Sequence, residues 1–221
     1  MLKYKTILAD PPWEQGFIGK CNRKRSPNHK DRLDYPTMTL DEIKSLPVGD
    51  FADDGCHLWL WVTNSFLPFG FSVLQDWGFK YHNIISWIKP SGVGMWFVNR
   101  TQHILFGYRS PLKMSERFKP NIIFGNIPQN RHSRKPEESF EFIERVSYGP
   151  RLELFARVKR PGWHQWGNEI DSDIQLESFS AAILNNNTLK REAECDHSMR
   201  KGDAFGLETE CIDCGKQFRS A

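Results

Sequence analysis

Four consecutive residues near the start of the chain, Asp10, Pro11, Pro12 and Trp13, combine a carboxylate, two prolines and an indole. They follow a short apolar run, Tyr4–Ala9, that is typical of a buried strand. A carboxylate and a proline carbonyl can each accept a hydrogen bond from an exocyclic amino group, and an indole can stack on the attached ring. These residue types therefore suggest activation of an aromatic amine. A polar turn that simply ends a strand is the alternative interpretation.

The two prolines indicate how the chain leaves this predicted strand. Proline pushes the residue before it toward extended geometry, and it cannot continue a helix or join a sheet ladder. We therefore expect a stiff exit, with the Asp10 carboxylate at the carboxyl end of the strand. Open α/β sheets bind their ligands at that edge.

The rest of the chain predicts the elements that would position this carboxylate. Further strands are predicted at residues 56–62, 81–88, 103–109, 121–124 and 151–156, and helices at residues 66–77 and 136–147. A capping box from Thr39 to Glu42 predicts one more short helix that ends before Pro47. Residues 91–101 are rich in Gly and aromatic side chains and are predicted to be an irregular segment that could act as a lid. Alternating strands and helices indicate an α/β fold with a mostly parallel, doubly wound sheet.

Length and charge narrow the class of protein. A chain of 221 residues can hold one well-buried domain and a small appendage. A net charge of +3 is mildly basic and compatible with a polyanionic partner. The first residues lack the apolar core of a secretory signal, and no apolar run approaches the ~20 residues that a membrane span needs. We therefore expect a cytoplasmic, intracellular protein without membrane contact.

A strongly basic segment, residues 20–32, follows the tetrapeptide. It carries six Lys or Arg residues, including Lys24 and Arg25, and has almost no apolar content. The composition predicts a mobile loop that is either a solvated surface or a phosphate-contacting arm. The second role is the sharper hypothesis because the segment emerges directly from the predicted site.

Two later stretches share an order and spacing with the tetrapeptide. One is Ser-Arg-Lys-Pro-Glu at residues 133–137, and the other is Leu-Glu-Leu-Phe-Ala-Arg at residues 152–157, followed by Gly162, Trp163 and Trp-Gly-Asn-Glu at residues 166–169. Together with Asp-Pro-Pro-Trp, they resemble the MT-A70 family of S-adenosylmethionine-dependent adenine N6-methyltransferases. The resemblance covers about residues 3–170, with weaker similarity at residues 35–38, 58–62, 87–89 and 103–107.

This resemblance implies a permuted, Rossmann-like methyltransferase fold in which the catalytic motif precedes the cofactor strand. It agrees with the lack of a GxGxxG motif after the first strand, where a dinucleotide-binding fold would carry one. By resemblance, the cofactor strand is formed by residues 151–157.

The resemblance also implies catalytic roles for the tetrapeptide. Asp10 would accept one hydrogen bond from the N6 amine of the target adenine, and the Pro11 carbonyl would accept the other. Pro12 completes the motif, and Trp13 would help to hold the base. Asp10 and Pro11 would also lie near the methionine end of the methyl donor.

Residues downstream would bind S-adenosylmethionine by the same resemblance. Lys135 would contact the methionine carboxylate, a suitable role for an ammonium group near a helix start. Glu153 and Asn168 would hold the ribose hydroxyls. Leu154 and Arg157 would flank the adenosine.

The chain departs from the family pattern at three points. Glu169 replaces a ribose-contacting Gln, so that contact is in doubt, and Lys159 stands where some relatives have a His. Relatives also extend further upstream and contact the cofactor adenine there, whereas this chain begins nine residues before Asp10. Recognition of that adenine is therefore expected from elsewhere, near residues 125–131.

A target adenine must be unstacked before it can react, which costs a few kcal/mol. Tyr35 and Trp61 are candidate stacking partners, and core packing is the alternative for each.

DNA is favoured over RNA because this compact chain carries its own basic loop. The chain is expected to act as a monomer or homodimer without an obligate partner subunit. Two other functions remain open: a catalytically inactive nucleic-acid-binding subunit, and methylation of another amine such as cytosine N4.

The end of the chain carries a possible metal site. Cys195 and His197 form a CxH pair, and Cys211 and Cys214 form a CxxC pair, a set that suits tetrahedral zinc. Residues 195–221 are therefore predicted to be a small zinc-binding tail, joined to a methyltransferase domain at residues 1–170 by a helical linker at residues 171–194. Unstructured tail cysteines are the alternative.

Overall fold

The computed structural model describes residues 2–14, 36–93, 96–128 and 134–176, and the strand residues 200–202, 208–211 and 217–219. The basic segment with Lys24 and Arg25, the stacking candidate Tyr35 and most of the cysteine-rich tail lie outside these residues. The chain divides into two compact units, Met1–Gln175 and Leu176–Ala221.

A mixed seven-stranded sheet forms the centre of the first unit. Its strands, in the order β5-β3-β4-β2-β1-β6-β7, are β1 Tyr4–Ala9, β2 Ala52–Val62, β3 Lys80–Val93, β4 Asn99–Tyr108, β5 Ile122–Phe124, β6 Arg151–Leu154 and β7 His164–Trp166. Adjacent strands are parallel except that β4 runs antiparallel to both β2 and β3. The sheet is therefore mostly parallel, as predicted, and its architecture fits a Rossmann-like methyltransferase fold.

Within the described residues, four helices accompany this sheet: α1 Leu40–Lys44, α2 Val48–Phe51, α3 Leu67–Asp76 and α4 Glu137–Val146. The predicted capping box is present, since Thr39 Oγ1 accepts a hydrogen bond from Glu42 N and the Glu42 carboxylate accepts one from Thr39 N. The predictions of α1, α3 and α4 are confirmed, whereas the four-residue α2 was not predicted. No helix in the described ranges is long and apolar enough to cross a membrane.

Helices cover both faces of the sheet, so the doubly wound arrangement is confirmed. On one face, the Cβ position of Gly70 in α3 lies close to Val62 and Leu105, which allows the helix to approach the strands closely. On the other face, α4 contributes the buried side chains Phe140, Ile143 and Val146, spaced three residues apart. They pack in a cluster with side chains of β1 to β5, among them Leu8, Trp59, Trp61, Ile85, Trp87, Ile104, Phe106 and Ile123.

The point where strand order reverses lies at β1. Its last residue, Ala9, is in register with Leu60 of β2 on one side and with Leu154 of β6 on the other. Parallel pairing brings the carboxyl ends of these three strands together, and the crevice beyond them is the usual ligand site of an open α/β sheet. The tetrapeptide begins directly at that crevice.

The sequence-based boundary of β3 was wrong. The strand does not end at Ile88, as predicted, but continues through Pro90 to Val93, and β4 already begins at Asn99. The strand register shifts between Ile88 and Val93, so a bulge accommodates a proline that cannot donate to the ladder. The expected irregular lid at residues 91–101 therefore belongs largely to a long β-hairpin arm.

The predicted helical linker was wrong for its first residues, because residues 171–176 contain no helix. Asp173 instead binds β7: its amide donates to the Gln165 carbonyl and its carboxylate accepts from Gln165 N, each at 2.8 Å. The second unit contains an antiparallel sheet with the order β10-β9-β8, formed by β8 Arg200–Gly202, β9 Glu208–Cys211 and β10 Gln217–Arg219.

Candidate functional site

An ion pair lies at the carboxyl end of β1. Lys135 Nζ lies 2.5 Å from Asp10 Oδ2, and the Lys135 side chain is 11% exposed against 33% for Asp10. The ammonium group also lies 5.2 Å from the ring centroid of Trp61. Lys135 directly precedes Pro136, the N-cap of α4, so the position of this helix on the sheet determines where the ammonium lies. The carboxylate therefore remains accessible beside a largely buried cation.

The tetrapeptide forms a fixed turn rather than a flexible loop. Trp13 N donates a 2.9 Å hydrogen bond to the Pro11 carbonyl, which retains its second lone pair for another donor. The Trp13 indole is buried: it stacks on Phe66 with ring centroids 5.3 Å apart, and its Nε1 donates to the Trp61 carbonyl at 3.1 Å. Packing of this indole holds the carboxylate and the proline carbonyl in place.

Glu153, in β6, supplies a second acidic group near Asp10. Burial raises the pKa of this carboxyl from 4.5 to about 7, although a hydrogen bond from Gln165 opposes the shift. Gln165 Nε2 donates to Glu153 Oε2 at 2.6 Å and to the Val158 carbonyl at 2.7 Å, while Gln165 Oε1 accepts from Arg160 N at 2.6 Å. The buried amide is thus held at both ends and fixes the Glu153 carboxylate.

Two clefts meet at the carboxyl edge of the sheet. The first is lined by Leu8, Asp10, Trp61, Arg134, Lys135, Phe140, Glu153, Leu154, Phe155, Arg157, Val158, Lys159 and Arg160. The second is lined by Asp10, Pro11, Pro12, Trp13, Pro36, Thr63, Gln102, Lys135, Phe155, Ala156, Arg157, Trp166, Gly167, Asn168 and Glu169. They share Asp10, Lys135, Phe155 and Arg157, and every residue that the resemblance assigns to catalysis or to the methyl donor lines at least one of the two clefts.

Glu169, the departure from the family's Gln, has a partner in this chain. Arg157 Nε lies 2.5 Å from Glu169 Oε1, and both side chains line the second cleft. A carboxylate here matches the guanidinium of Arg157. Lys159, the other departure, pairs with Asp173 at 2.8 Å.

A glycine brings Asn168 to the second cleft. A Cβ at Gly167 would lie only 1.9 Å from the Ala156 carbonyl oxygen, so no other residue fits without movement of the backbone. Ala156 N also donates to the Trp166 carbonyl at 2.8 Å. The segments after β6 and β7 therefore run in direct backbone contact, which places Asn168 beside Arg157.

Trp61 packs in the core, as in the alternative interpretation given for it. Its side chain is 1% exposed and meets Trp87 edge to face, with ring centroids 6.1 Å apart. Its Nε1 is buried and has no hydrogen-bond partner among the residues that the structure describes. This leaves little ring surface for stacking on a base. The other stacking candidate, Tyr35, and the basic residues Lys24 and Arg25 lie outside the described residues.

The side chains that line the clefts can be compared with the chemical groups of S-adenosylmethionine, which has a carboxylate, a ribose diol and an apolar ring system. The clefts present an ammonium group at Lys135, a carboxylate at Glu153, an amide at Asn168 and apolar walls at Leu154 and Phe155. These groups fit those three chemical features. The residues present are therefore compatible with this methyl donor.

Sequence reasoning missed Gln165, Phe155 and Gln102. Gln165 is a fully buried amide in a three-residue strand, and only the β6–β7 pairing reveals its contact with Glu153. Phe155 has a positive φ of 65° at the end of β6, and it lines both clefts. Gln102 reaches the second cleft from β4. A polar residue within an otherwise apolar strand was the available signal for Gln165.

The predicted zinc ligands lie largely outside the described residues. Cys195, His197 and Cys214 lie outside the described residues, and of Cys211 only the backbone, in β9, is described. Among the side chains that the structure does describe, there is no group of three or more His, Cys, Asp or Glu residues able to hold a metal.

Comparison with known proteins agrees with the geometry. The MT-A70 family model matches residues 4–169, about three quarters of the chain. The match includes the tetrapeptide and the residues expected to bind the methyl donor. The chain belongs to the MT-A70 family. This assignment confirms the resemblance seen in the sequence motifs.

Several relatives of this MT-A70 chain are characterised by name. The human N(6)-adenosine-methyltransferase catalytic subunit METTL3 is 30% identical over 182 residues, which are 76% of this chain and 28% of METTL3. The Drosophila melanogaster N(6)-adenosine-methyltransferase MT-A70-like protein is 30% identical and is matched over 27% of its length. The type II methyltransferase M.MunI of a Mycoplasma species is 28% identical over 189 residues, 79% of this chain and 81% of M.MunI. The chain thus spans little more than a quarter of these eukaryotic relatives and most of M.MunI.

Proposed function

We propose that this MT-A70 chain transfers a methyl group from S-adenosylmethionine to the N6 amine of adenine in nucleic acid. The observation that carries the proposal is the position of Asp10. Its carboxylate lies at the carboxyl end of β1, paired with Lys135, and both residues line both clefts. An amine held there would lie beside the residues that suit the methyl donor.

The chain's contribution to the reaction is alignment of the amine. The lone pair of an adenine N6 amine is delocalised into the ring, which makes the amine a weak nucleophile. Asp10 and the free lone pair of the Pro11 carbonyl would accept its two hydrogens and favour a pyramidal nitrogen whose lone pair can attack. S-adenosylmethionine, when bound, supplies the activated methyl group. A strong base is not required before transfer, because the amine becomes acidic only as it is methylated.

The remaining residues would hold the donor. Lys135 would contact the methionine carboxylate, Glu153 and Asn168 the ribose hydroxyls, and Leu154 and Arg157 the sides of the adenosine. The hydrogen bond from Gln165 supports this role for Glu153, because it fixes the carboxylate before any ligand arrives. Glu169, which is paired with Arg157, would border the same part of the donor beside Asn168.

We favour DNA over RNA as the substrate. This chain matches 81% of the length of the type II methyltransferase M.MunI, against 28% of METTL3, whose name specifies adenosine, the nucleoside of RNA. The basic segment with Lys24 and Arg25 would add phosphate contacts in either case. We also propose that Cys195, His197, Cys211 and Cys214 bind a structural zinc ion in the tail.

Methyl transfer to defined oligonucleotides tests the proposal. The purified chain is incubated with isotopically labelled S-adenosylmethionine and with adenine-containing DNA or RNA, and labelled nucleosides are identified by mass spectrometry. N6-methyladenine from DNA is the expected product. Labelled N4-methylcytosine would indicate a different amine. The absence of any labelled nucleoside, with donor binding demonstrated by calorimetry, would favour an inactive nucleic-acid-binding subunit instead.

A further inference from the structure

Two aromatic residues project into solvent near the tip of the β3–β4 hairpin. Trp96 is 93% exposed and Phe97 is 81% exposed, and the neighbouring Val98 is 61% exposed. Aromatic side chains present roughly 150–250 Å² each. Two such rings and a valine approach the size of the largest apolar patch on a typical monomer, about 300–600 Å², and such patches commonly have a binding function.

Charge around this tip indicates what kind of partner it contacts. Residues 77–115 contain no Asp or Glu but include five basic residues: Lys89 and Arg100 near the tip, and Lys80, Arg109 and Lys113 at the far end of the two strands or beyond it. Two of them flank the tip and lie close together, since Arg100 Nε donates a 3.0 Å hydrogen bond to the Lys89 carbonyl. Aromatic side chains among cations are the usual surface for bases and phosphates. A second copy of the same hairpin would instead bring like charges together.

The base of the hairpin is tied to the second cleft. Gln102 of β4 lines that cleft together with Asp10. Next to it, Asn64 Nδ2 donates to the Thr101 carbonyl at 3.3 Å, and Asn64 Oδ1 lies 2.7 Å from His103 Nε2. Asn64 follows Thr63, another residue of the cleft wall, so these hydrogen bonds fix the hairpin to the end of β2.

The length of the arm matches the spacing of nucleotides near a target base. Val98 is four residues from Gln102, which corresponds to about 13 Å at the rise of a β-strand. The bulge before Val93 gives the arm a defined bend, and at Gly92 a Cβ would lie 2.3 Å from the Asn99 carbonyl oxygen. The strand between Gln102 and Val98 therefore has a length of a few nucleotide steps.

We infer that the β3–β4 hairpin is a nucleic-acid-contacting arm, in which Trp96 and Phe97 stack on bases near the target adenine while Lys89 and Arg100 contact phosphates. The inference rests on the proposed nucleic-acid substrate, but not on methyl transfer. Stacking at the tip would offset part of the cost of unstacking the target base in the cleft.

Binding of labelled DNA by the full chain tests this arm. Fluorescence anisotropy is measured with single-stranded and duplex DNA 20-mers rich in adenine, for wild type, Trp96→Ala/Phe97→Ala and the control Phe118→Ala. Phe118 is 95% exposed and lies outside the hairpin, so the control removes an equally exposed aromatic ring. We expect the double variant to bind at least one DNA form about tenfold or more weakly. The control should stay within twofold of wild type.

A second variant separates phosphate contacts from stacking. Lys89→Ala/Arg100→Ala should lower the slope of log affinity against log salt by one to two units, because up to two fewer phosphates are neutralised. Unchanged melting temperature and unchanged affinity for S-adenosylhomocysteine would show that the fold and the cleft are intact. If methyl transfer is absent but the tip variant loses DNA binding, the arm stands and only the proposed activity fails.

Three results would overturn the inference. The first is DNA affinity of Trp96→Ala/Phe97→Ala within twofold of wild type, even if methylation proceeds. The second is failure of the wild-type chain to bind either DNA form or a matched RNA 20-mer. The third is a change from dimer to monomer in sedimentation velocity with unaltered DNA affinity, which would identify the tip as an interface with a second copy of the chain.

Discussion

Lys135 Nζ lies 2.5 Å from Asp10 Oδ2 although the two residues are 125 positions apart in the sequence. The cation expected to hold the methyl donor is thus the counter-ion of the carboxylate expected to orient the amine. When the carboxylate of the methyl donor binds Lys135, the ammonium gains a second anionic partner. Its hold on Asp10 Oδ2 would weaken, and that oxygen could then accept a hydrogen bond from the incoming amine. Donor binding and preparation of Asp10 would in this way be linked through one side chain.

Replacement of Lys135 tests that link. Lys135→Ala should weaken binding of S-adenosylhomocysteine, which carries the same carboxylate, by about tenfold or more, because a charge-assisted contact is lost. Lys135→Arg keeps a cation and should lose less. Isothermal titration calorimetry measures both. Lys44→Ala, which breaks the remote surface pair with Asp76, is the control and should leave affinity unchanged. Equal affinities for Lys135→Ala and wild type would refute the role.

Asp10→Ala should separate binding from turnover. Loss of the carboxylate removes an acceptor expected to act on the reacting amine, and we expect kcat to fall by about 100-fold or more. Affinity for S-adenosylhomocysteine should change only a few-fold, because Glu153, Asn168 and Lys135 remain. Asp10→Asn, which keeps the shape but not the charge, should also be slow. The measurement is single-turnover methylation at a saturating concentration of S-adenosylmethionine. Near-normal turnover in Asp10→Ala would refute the proposed role of this carboxylate.

Glu153 should make stability and donor binding depend on pH in opposite directions. Because the pKa is raised from 4.5 to about 7, the folded chain holds this proton more tightly than the unfolded chain. The group's contribution to stability is therefore complete below about pH 4.5 and is lost as pH rises through about 7. Glu153→Gln cannot ionise, so it should be more stable than wild type at pH 8 by at most about 3 kcal/mol.

Donor binding should show the reverse trend at Glu153. The ionised carboxylate accepts hydrogen bonds from ribose hydroxyls better than the neutral acid, so wild-type affinity should fall as pH drops below about 7. Glu153→Gln should bind more weakly and with a flatter pH profile. Glu137→Gln is a control of opposite sign, since hydrogen bonding to Arg160 lowers the pKa of Glu137. That variant should be less stable than wild type at pH 8. If the stability of Glu153→Gln relative to wild type did not increase between pH 5 and pH 8, the raised pKa of Glu153 would be contradicted.

Local patterns in the sequence predicted the elements that depend on local interactions. The apolar run Tyr4–Ala9 is the β1 strand of the structure, and the Thr39–Glu42 capping box is present at α1. The strand end predicted at Ile88 was wrong because a bulge, which depends on pairing with β4, lets Pro90 remain within the strand. Pairing between strands is a property of the fold and is not visible in one segment alone.

The site shows the same division. The resemblance to the MT-A70 family implied that Asp10, Lys135, Glu153 and Asn168 would belong together, and they line two clefts that share Asp10 and Lys135. The contact of Gln165 with Glu153 depends on the register of β6 against β7. The burial of Trp61 likewise depends on which face of β2 meets α4. Neither property could be obtained from residue type and spacing.

Metal analysis tests the tail. The chain should contain about one zinc ion, and Cys211→Ser/Cys214→Ser should contain none, because two of the four predicted ligands are lost. Cys21→Ser removes a cysteine outside the pattern and should keep its zinc. Elemental analysis by mass spectrometry after extensive dialysis gives the ratio. A metal-free wild-type chain whose tail resists proteolysis would reject the site.

Gly167 offers the sharpest test of how backbone packing supports the site. A methyl group at this position would overlap the Ala156 carbonyl oxygen, 1.9 Å away, so Gly167→Ala must displace the segment that carries Asn168. We expect destabilisation of about 1–3 kcal/mol, together with weaker binding of S-adenosylhomocysteine. Gly55→Ala is the matched control, because its Cβ would meet Leu112 at an ordinary 3.5 Å. Thermal unfolding and calorimetry on both variants distinguish the outcomes. If Gly167→Ala behaves like Gly55→Ala in both measurements, the close approach of the two backbones does not position Asn168.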